Sequence, residues 1–144
     1  MAFVAITRLH LASFWSFPGF LFRTLRVARQ VSRAPGFISG WLGSDAERGL
    51  WTVTVWDNAE AMQAFRRSGA HSAAMPTLLG ACDEASVGHW EQADRAVPSG
   101  DEVYERMRRE GRLSKVNRPS VRQQAGETVG HGKPRPGRTM APAG

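Results

Sequence analysis

Residues 51–75, WTVTVWDNAEAMQAFRRSGAHSAAM, place a strand, a helix and a histidine in an order that decides the predicted fold. The Thr, Val and Trp side chains that open this stretch are typical of a β-strand. A D-x-x-E capping box at residues 57–60 then starts a helix, and Gly69 is typical of a helix end. Because Trp56 ends the strand and His71 follows the glycine, an aromatic ring and an imidazole lie near one end of this unit. The pattern predicts the mouth of a small-molecule pocket.

The flanking segments extend this unit to a complete small domain. The predicted strands cover residues 3–9, 37–42, 50–56 and 84–91, and the predicted helices run from Pro18 to about residue 34, from the capping box to Gly69, and over residues 72–80. The order β-α-β-β-α-β is that of the ferredoxin-like fold, in which helices cover one face of an antiparallel sheet. The sequence therefore predicts an α+β protein.

The chain divides into three predicted parts. Residues 1–95 form the ferredoxin-like domain, residues 96–111 a C-terminal helix that opens with an S-x-x-E capping box, and residues 112–144 a disordered basic tail. The tail has few large apolar side chains and cannot bury enough surface to offset its ordering entropy. Residues 104–144 carry ten Lys or Arg against three Asp or Glu. They lack interleaved aromatic residues for base stacking, so no specific nucleic-acid binding is expected.

Both faces of the predicted sheet are apolar. The third strand carries Trp51, Val53 and Val55 on one side and Thr52, Thr54 and Trp56 on the other, and the second strand carries Phe37 and Trp41 against Ile38 and Leu42. An antiparallel sheet with one face in water alternates between polar and apolar residues, and this one does not. Since the helices cover one face only, the pattern predicts that a second copy of the chain covers the other. We therefore expect a homodimer.

Several classes of protein are disfavoured by what the sequence lacks. Cys82 is the only cysteine, which excludes an internal disulfide and multi-cysteine zinc sites, and its apolar neighbours predict a buried structural thiol. The sequence contains no phosphate-binding glycine loop, G-x-S-x-G elbow or H-E-x-x-H pair. The longest apolar run, residues 11–22, is interrupted by Ser, Pro and Gly, so no transmembrane segment is expected. Without a basic leader at its N-terminus, the protein is predicted to be cytoplasmic.

Three runs carry a resemblance to a known group of proteins. They are WTVTVW at 51–56, SGAHSAAMP at 68–76 and CDEASVGHW at 82–90. With the strand order, they resemble the antibiotic-biosynthesis-monooxygenase superfamily of dimeric α/β barrels, and within it a set of uncharacterised bacterial domains related to spheroidene monooxygenase. The resemblance covers residues 3–92. The superfamily includes cofactor-free oxygenases, haem-degrading and haem-dependent enzymes, isomerases and non-catalytic proteins, so the fold does not fix the reaction.

The resemblance also implies roles for individual residues. Trp56 matches the tryptophan that lines the haem pocket in the haem-degrading branch, and His71 falls near the axial histidine of that branch. Thr7 stands where that branch has a functional asparagine, and a threonine offers no amide N–H. Haem degradation by that route is therefore not expected, whereas haem binding at His71 and other pocket chemistry both remain open.

The predicted site consists of His71 as the catalytic residue and a set of pocket residues. The pocket residues are Thr7, Thr52, Thr54, Trp56 and Trp90. His71 is expected to act as an acid or base, or as an axial haem ligand. For every one of these residues a purely structural role, in packing or in strand formation, is the competing interpretation.

Three functions are consistent with these residues. The first is a monooxygenase-like oxidoreductase that acts on a small apolar, aromatic or polyene substrate in a pocket between the sheet and the helices, with haem or without a cofactor. The second is a non-catalytic dimer that binds a small ligand or haem in the same pocket. In the third, the basic tail is the functional part, and the folded domain only joins two tails.

Overall fold

The computed structural model describes residues 1–13, 15 and 17–143. Its strands are β1 Ala2–Leu11, β2 Phe37–Ser44, β3 Leu50–Trp56, β4 Cys82–Gln92, β5 Arg112–Leu113 and β6 Arg135–Met140. Its helices are α1 Phe17–Ser32, α2 Ala59–Arg66, α3 Gly69–Gly80, α4 Gly100–Glu110 and α5 Val121–Gln124. Within these described residues, no helix is both long enough and apolar enough to cross a membrane.

All six strands form one antiparallel sheet in the order β5-β4-β1-β3-β2-β6. The inner strands β4-β1-β3-β2, with the helices between them in the chain, form the predicted ferredoxin-like arrangement. The α+β fold class is thus confirmed. In the β1–β3 register, Thr7 lies opposite Thr52, and Ala5 lies opposite Thr54. Because side chains alternate along a strand, these residues share one face of the sheet.

Strand β2 differs from the prediction in which face of the sheet its side chains occupy. The β2–β3 register shifts between Phe37 and Ser39. Phe37 lies opposite Trp56 and packs in the cluster on the helix side of the sheet. Trp41 lies opposite Val53 and packs in the cluster on the other side. The prediction that Phe37 and Trp41 share a face was wrong, because the extra residue of a bulge reverses the alternation.

The start of α2 differs by one residue from the predicted capping box. Asn58 is the N-cap residue, and its side chain accepts a hydrogen bond from the backbone N–H of Ala61 at 2.9 Å. Asp57 instead accepts a hydrogen bond from Arg95 at the surface. Beyond α2, Gly69 has a left-handed φ of +45° and begins α3 directly. His71 therefore lies in the first turn of a helix rather than in a loop.

The face of the sheet opposite α1, α2 and α3 is covered by the chain itself. Val103 and Met107 of α4 have no exposed surface, and they pack in one apolar cluster with residues of β1, β2, β3 and β4. The indole N–H of Trp41 donates to the carbonyl oxygen of Pro98 at 3.0 Å, which fastens the segment that leads into α4. The predicted bare face does not exist, and the physical argument for a dimer through this face is removed.

Over residues 112–143, the part of this segment that the structure describes, the predicted disorder is not what the structure shows. Strand β5 pairs with β4, and strand β6 pairs with β2, so the segment fills both edges of the sheet. Gln123 of α5 exchanges hydrogen bonds with the backbone of Ala85, and Arg122 forms an ion pair with Glu47 at 2.7 Å. Backbone hydrogen bonds to the sheet edges and polar side-chain contacts order this segment. The prediction of disorder considered only its lack of apolar residues and overlooked these contacts.

Candidate functional site

A cavity of about 270 Å³ lies between the sheet and helices α1, α2 and α3. Its floor is formed by the helix-side face of the sheet, and its walls by the apolar sides of the helices. The floor includes Ala5, Thr7, Thr52, Thr54, Trp56, Val87 and His89, and the walls include Phe20, Leu21, Met62, Phe65, Met75 and Leu78. The surface is mainly apolar with a few polar groups, as is usual for a small-molecule site.

Five of the six predicted site residues line this cavity. They are Thr7, Thr52, Thr54, Trp56 and His71. The three threonines come together because their strands are neighbours in register, and the hydroxyl of Thr54 donates weakly to the carbonyl oxygen of Ala5 at 3.4 Å. A polar strip therefore crosses the floor of an otherwise apolar cavity.

Trp90 was wrongly assigned to the pocket. It lies opposite Val4 on the far side of the sheet, is buried in the cluster that α4 covers, and stacks under the Arg106 guanidinium at 4.7 Å. Its neighbour His89 lies opposite Ala5 and lines the cavity instead. The strand alternation that sends Trp90 away from the helices brings His89 towards them. The alternation of side chains along β4 would have predicted His89 as a cavity residue if the register of β4 against β1 had been known.

Trp56 is a deeply buried residue of the cavity floor. Its side chain is 1% exposed, and among the described residues its indole Nε1 has no hydrogen-bond partner. The ring packs against Phe37 and Phe65 with centroid distances of 5.5 and 5.3 Å. A buried N–H without an acceptor costs about 1–3 kcal/mol. A ligand oxygen within hydrogen-bond distance of Nε1 would remove that cost.

His71 continues this aromatic row, with its ring 5.0 Å from that of Phe65. Its backbone N–H donates to Gln30 Oε1 at 2.9 Å, and its Nδ1 lies 3.3 Å from the carbonyl oxygen of Arg66. Because a carbonyl oxygen only accepts, this contact requires the proton on Nδ1 and leaves the lone pair on Nε2. Desolvation, with a smaller effect of the Arg66 charge, lowers the pKa of His71. The imidazole is therefore a neutral base at physiological pH.

Two arginines and a second histidine also line the cavity. Arg66 ends α2, Arg112 begins β5, and the pKa of His89 between them is lowered by desolvation and by both arginine charges. We call Arg66 and Arg112 the cationic rim, because both side chains are exposed to solvent while bordering the cavity. Sequence reasoning missed Arg112, which lies in the segment that was expected to be disordered.

Two other groups of ionisable side chains have structural roles: Arg8 with its two carboxylate partners, and the Cys82 thiol. Arg8 is buried between Asp45 and Glu84 at 2.9 and 2.6 Å, and although burial opposes it, hydrogen bonds from Trp51 and Arg8 hold the pKa of Asp45 below its ordinary value. Burial, with the nearby charge of Asp83, raises the pKa of the Cys82 thiol to about 12. A thiol that stays protonated is a poor nucleophile, which agrees with the structural role predicted for Cys82.

One group of three side chains has the composition of a metal site. His10, Asp83 and Glu84 each offer a ligand atom within 4.8 Å of the others, and this is the one such group among the residues that the structure describes. However, Glu84 already accepts hydrogen bonds from Arg8 at 2.6 Å and from Ser120 at 2.9 Å. Its charge is balanced within the chain, and the group lies outside the lining of the cavity.

The size of the cavity decides whether haem could bind in it. His71 Nε2 is a suitable axial ligand in chemical terms. However, the volume of about 270 Å³ lies just below the range of roughly 300–1,000 Å³ found for pockets that enclose drug-sized ligands. A tetrapyrrole with its propionates is larger than the molecules that such a cavity encloses. The residues present therefore do not fit haem.

Comparisons with known proteins agree with the observed fold. Protein Rv0793 from Mycobacterium tuberculosis is 13% identical, with a TM-score of 0.60 over 67% of this chain and 99% of that one. SnoaB, a cofactor-independent oxygenase from Streptomyces nogalater, is 16% identical, with a TM-score of 0.55 over 65% of this chain and 94% of its own. A conserved protein from Methanosarcina mazei Go1 is 12% identical, with a TM-score of 0.59 over 65% and 94%.

At these identities the solved structures show the fold alone, and about a third of this chain has no counterpart in them. No curated protein matches the sequence. The narrower resemblance to proteins related to spheroidene monooxygenase stays a prediction. A family model does match, however: residues 18–77, which include Trp56, Arg66 and His71, match the model described as antibiotic biosynthesis monooxygenase. Sequence pattern and fold together confirm that this chain is similar to the antibiotic-biosynthesis-monooxygenase superfamily.

Proposed function

We propose that the protein is a monooxygenase-like oxidoreductase that oxidises a small, mainly apolar aromatic or polyene substrate in the cavity between sheet and helices. The observation that carries the proposal is the pairing of two groups in one cavity. One is the neutral imidazole of His71, and the other is the buried, unpartnered indole N–H of Trp56. The match to the monooxygenase family model and the fold shared with a cofactor-independent oxygenase support it.

These groups suit a reaction in which the substrate itself supplies the electrons. His71 Nε2 takes a proton from an activated methylene group of the substrate. The negative charge spreads to a conjugated carbonyl oxygen, and the Trp56 N–H stabilises that charge inside the mainly apolar cavity. The carbanion reduces O₂ and combines with it to form a substrate hydroperoxide, which takes its proton from the His71 imidazolium. Loss of water then converts one methylene group and one O₂ into one carbonyl group and one water.

An oxygen electrode tests this proposal with anthrone, an aromatic ketone with an activated methylene group, as the probe. We expect His71→Ala to lower kcat about 100-fold or more, because the base is removed. We expect Trp56→Phe to lower it about 100-fold, because one donor to the oxyanion is removed. His131→Ala is the matched control, because His131 is exposed and does not line the cavity. Oxygen uptake that stays unchanged in both cavity variants would reject the proposal.

The mainly apolar lining also supports a non-catalytic ligand-binding function. Under this alternative, the same cavity holds an apolar molecule and His71 only positions it. Calorimetric binding of anthrone together with no oxygen uptake would support this function. Binding together with uptake that depends on His71 would exclude it.

The homodimer and the cytoplasmic location predicted from the sequence stay predictions. The homodimer now depends on the superfamily resemblance alone, because α4 covers the face that was expected to form the contact. We infer that a dimer would use another surface. In light scattering, a particle of 15.8 kDa at micromolar concentration would reject it.

A further inference from the structure

We infer that the cavity takes an apolar molecule bearing a single carboxylate, which Arg66 and Arg112 bind at the cavity mouth. This inference rests on the proposed function, since it names the class of substrate for the same site. It also narrows the substrate from an apolar molecule in general to an aromatic acid of limited size.

The charge of the cavity lining is one-sided. Arg66 and Arg112 line it beside the neutral His71 and His89, and among the described residues of the lining there is no aspartate or glutamate. The two arginines lower the pKa of His89, and Arg66 lowers that of His71, so their field reaches into the cavity. A mainly apolar cavity with cationic groups and no counter-charge favours an anion over a neutral molecule of the same shape.

The two guanidinium groups are free to bind a ligand. Among the described residues, neither side chain has a carboxylate within ion-pair distance or a hydrogen bond to another side chain. By contrast, Arg8 and Arg122 each contact two or more carboxylates. Several surface arginines are also unpaired, but Arg66 and Arg112 are the ones that border the cavity. A guanidinium binds a carboxylate through two parallel hydrogen bonds, which gives both strength and orientation.

The position of the two arginines orients the ligand. Both are exposed, so the carboxylate stays at the mouth in contact with water, which avoids the cost of burying a charge. The apolar body then enters the cavity, whose lining includes Trp56 with its buried, unpartnered N–H. The N-terminus of α3, which carries His71, adds a favourable dipole on the same side.

The cavity volume limits the apolar body. About 270 Å³ holds two or three fused rings, whereas a long polyene does not fit inside it. The ring faces of Trp56, Phe65 and His71 favour a flat aromatic body, because they stack or meet it edge-on.

Calorimetry with two matched probes tests the inference. 2-Naphthoate carries the carboxylate, and 2-naphthamide has the same shape without the charge. We expect the wild-type protein to bind 2-naphthoate about tenfold or more tightly than 2-naphthamide. The preference should fall as salt rises from about 0.01 to 1 M, because the rim is exposed and its charges are screened.

Two substitutions locate the source of the preference. Arg66→Gln and Arg112→Gln should each weaken 2-naphthoate binding about tenfold and leave 2-naphthamide binding unchanged. The double variant should bind both probes alike. Arg67→Gln and Arg118→Gln are the matched controls, because these exposed arginines do not line the cavity, and both should bind as the wild type does. If a glutamine variant unfolds, Arg66→Lys and Arg112→Lys keep the charge and should retain part of the preference.

The outcomes separate this inference from the proposed function, because binding is measured without oxygen turnover. Equal affinity for both probes in the wild type overturns the inference, as does an equal loss of both probes in the rim variants. An equal effect of the control variants also overturns it. Anthrone oxidation without a preference for 2-naphthoate rejects the inference and leaves the function standing. A preference for 2-naphthoate that depends on Arg66 and Arg112, without any oxygen uptake, supports the inferred ligand class and rejects the proposed oxidation.

Discussion

Three neighbours in other elements determine the tautomer and the pKa of His71. Gln30 of α1 accepts from its backbone N–H, the carbonyl oxygen of Arg66 holds its Nδ1 proton, and the Phe65 ring packs against its imidazole. Together these contacts fix the tautomer and remove water from the ring, so the pKa is lowered mainly by desolvation. A lone histidine in the sequence thereby becomes a base with a defined lone pair.

The pH dependence of oxygen uptake follows from this pKa. A base must be unprotonated, so kcat/KM for anthrone should rise with pH as His71 loses its proton and then reach a plateau. Because the pKa is lowered from 6.5, the rise should be complete at a lower pH than for an ordinary histidine. A pH profile with His71→Ala as the control measures this. A midpoint above 6.5 would contradict the assignment.

At the scale of the elements, local patterns predict what each segment becomes. Strand β3 spans Leu50–Trp56 as predicted, and Ser99 caps α4 by accepting from the N–H of Glu102 at 3.2 Å. These features depend on side chains a few residues apart, which the sequence displays directly. The bulge near Phe37 was missed, because a bulge depends on how two strands pair.

Helix α4 is a core element, although its sequence is mostly polar. Met107 has no exposed surface and packs under the sheet. We expect Met107→Ala to lower the free energy of unfolding by about 2–4 kcal/mol, because it leaves a cavity in a closely packed region. Arg109→Ala on the exposed side of the same helix is the control and should change it by less than about 0.5 kcal/mol. Urea unfolding measures both, and a similar small effect of the two substitutions would contradict a core role for α4.

At the scale of the whole molecule, the C-terminal segment completes the fold. It pairs with both edges of the sheet, bonds to the backbone of β4 through Gln123, and brings Arg112 to the cavity. It also contacts α4, since the hydroxyl of Tyr104 donates to the carbonyl oxygen of Gly130 at 2.8 Å. The basic segment is therefore part of the domain, and this argues against a function as a free tail.

Removal of residues 112–144 tests this arrangement. We expect the shortened chain to melt at a lower temperature and to associate, because two strand edges lose their partners and exposed edges pair with other chains. Thermal unfolding and light scattering measure the two effects. Removal of residues 141–144 alone is the control and should have a much smaller effect, since β6 ends at Met140 and the loss is the backbone hydrogen bond from Ala143 to Ser32. A shortened chain as stable and as well dispersed as the full chain would show that the segment contributes nothing to the fold.

The sequence by itself determined the α+β class, the order of the first four strands along the chain, and the shared face of Thr52, Thr54 and Trp56 on β3. These follow from strand alternation and helix capping, which act over a few residues. Only the tertiary structure decided that α4 covers the second face, that residues 112–140 are ordered, and that His89 rather than Trp90 faces the cavity. It also decided that Arg66 and Arg112 border one apolar cavity. These features depend on register and on hydrogen bonds between distant segments, and a pattern read along one segment contains no information about its distant partner.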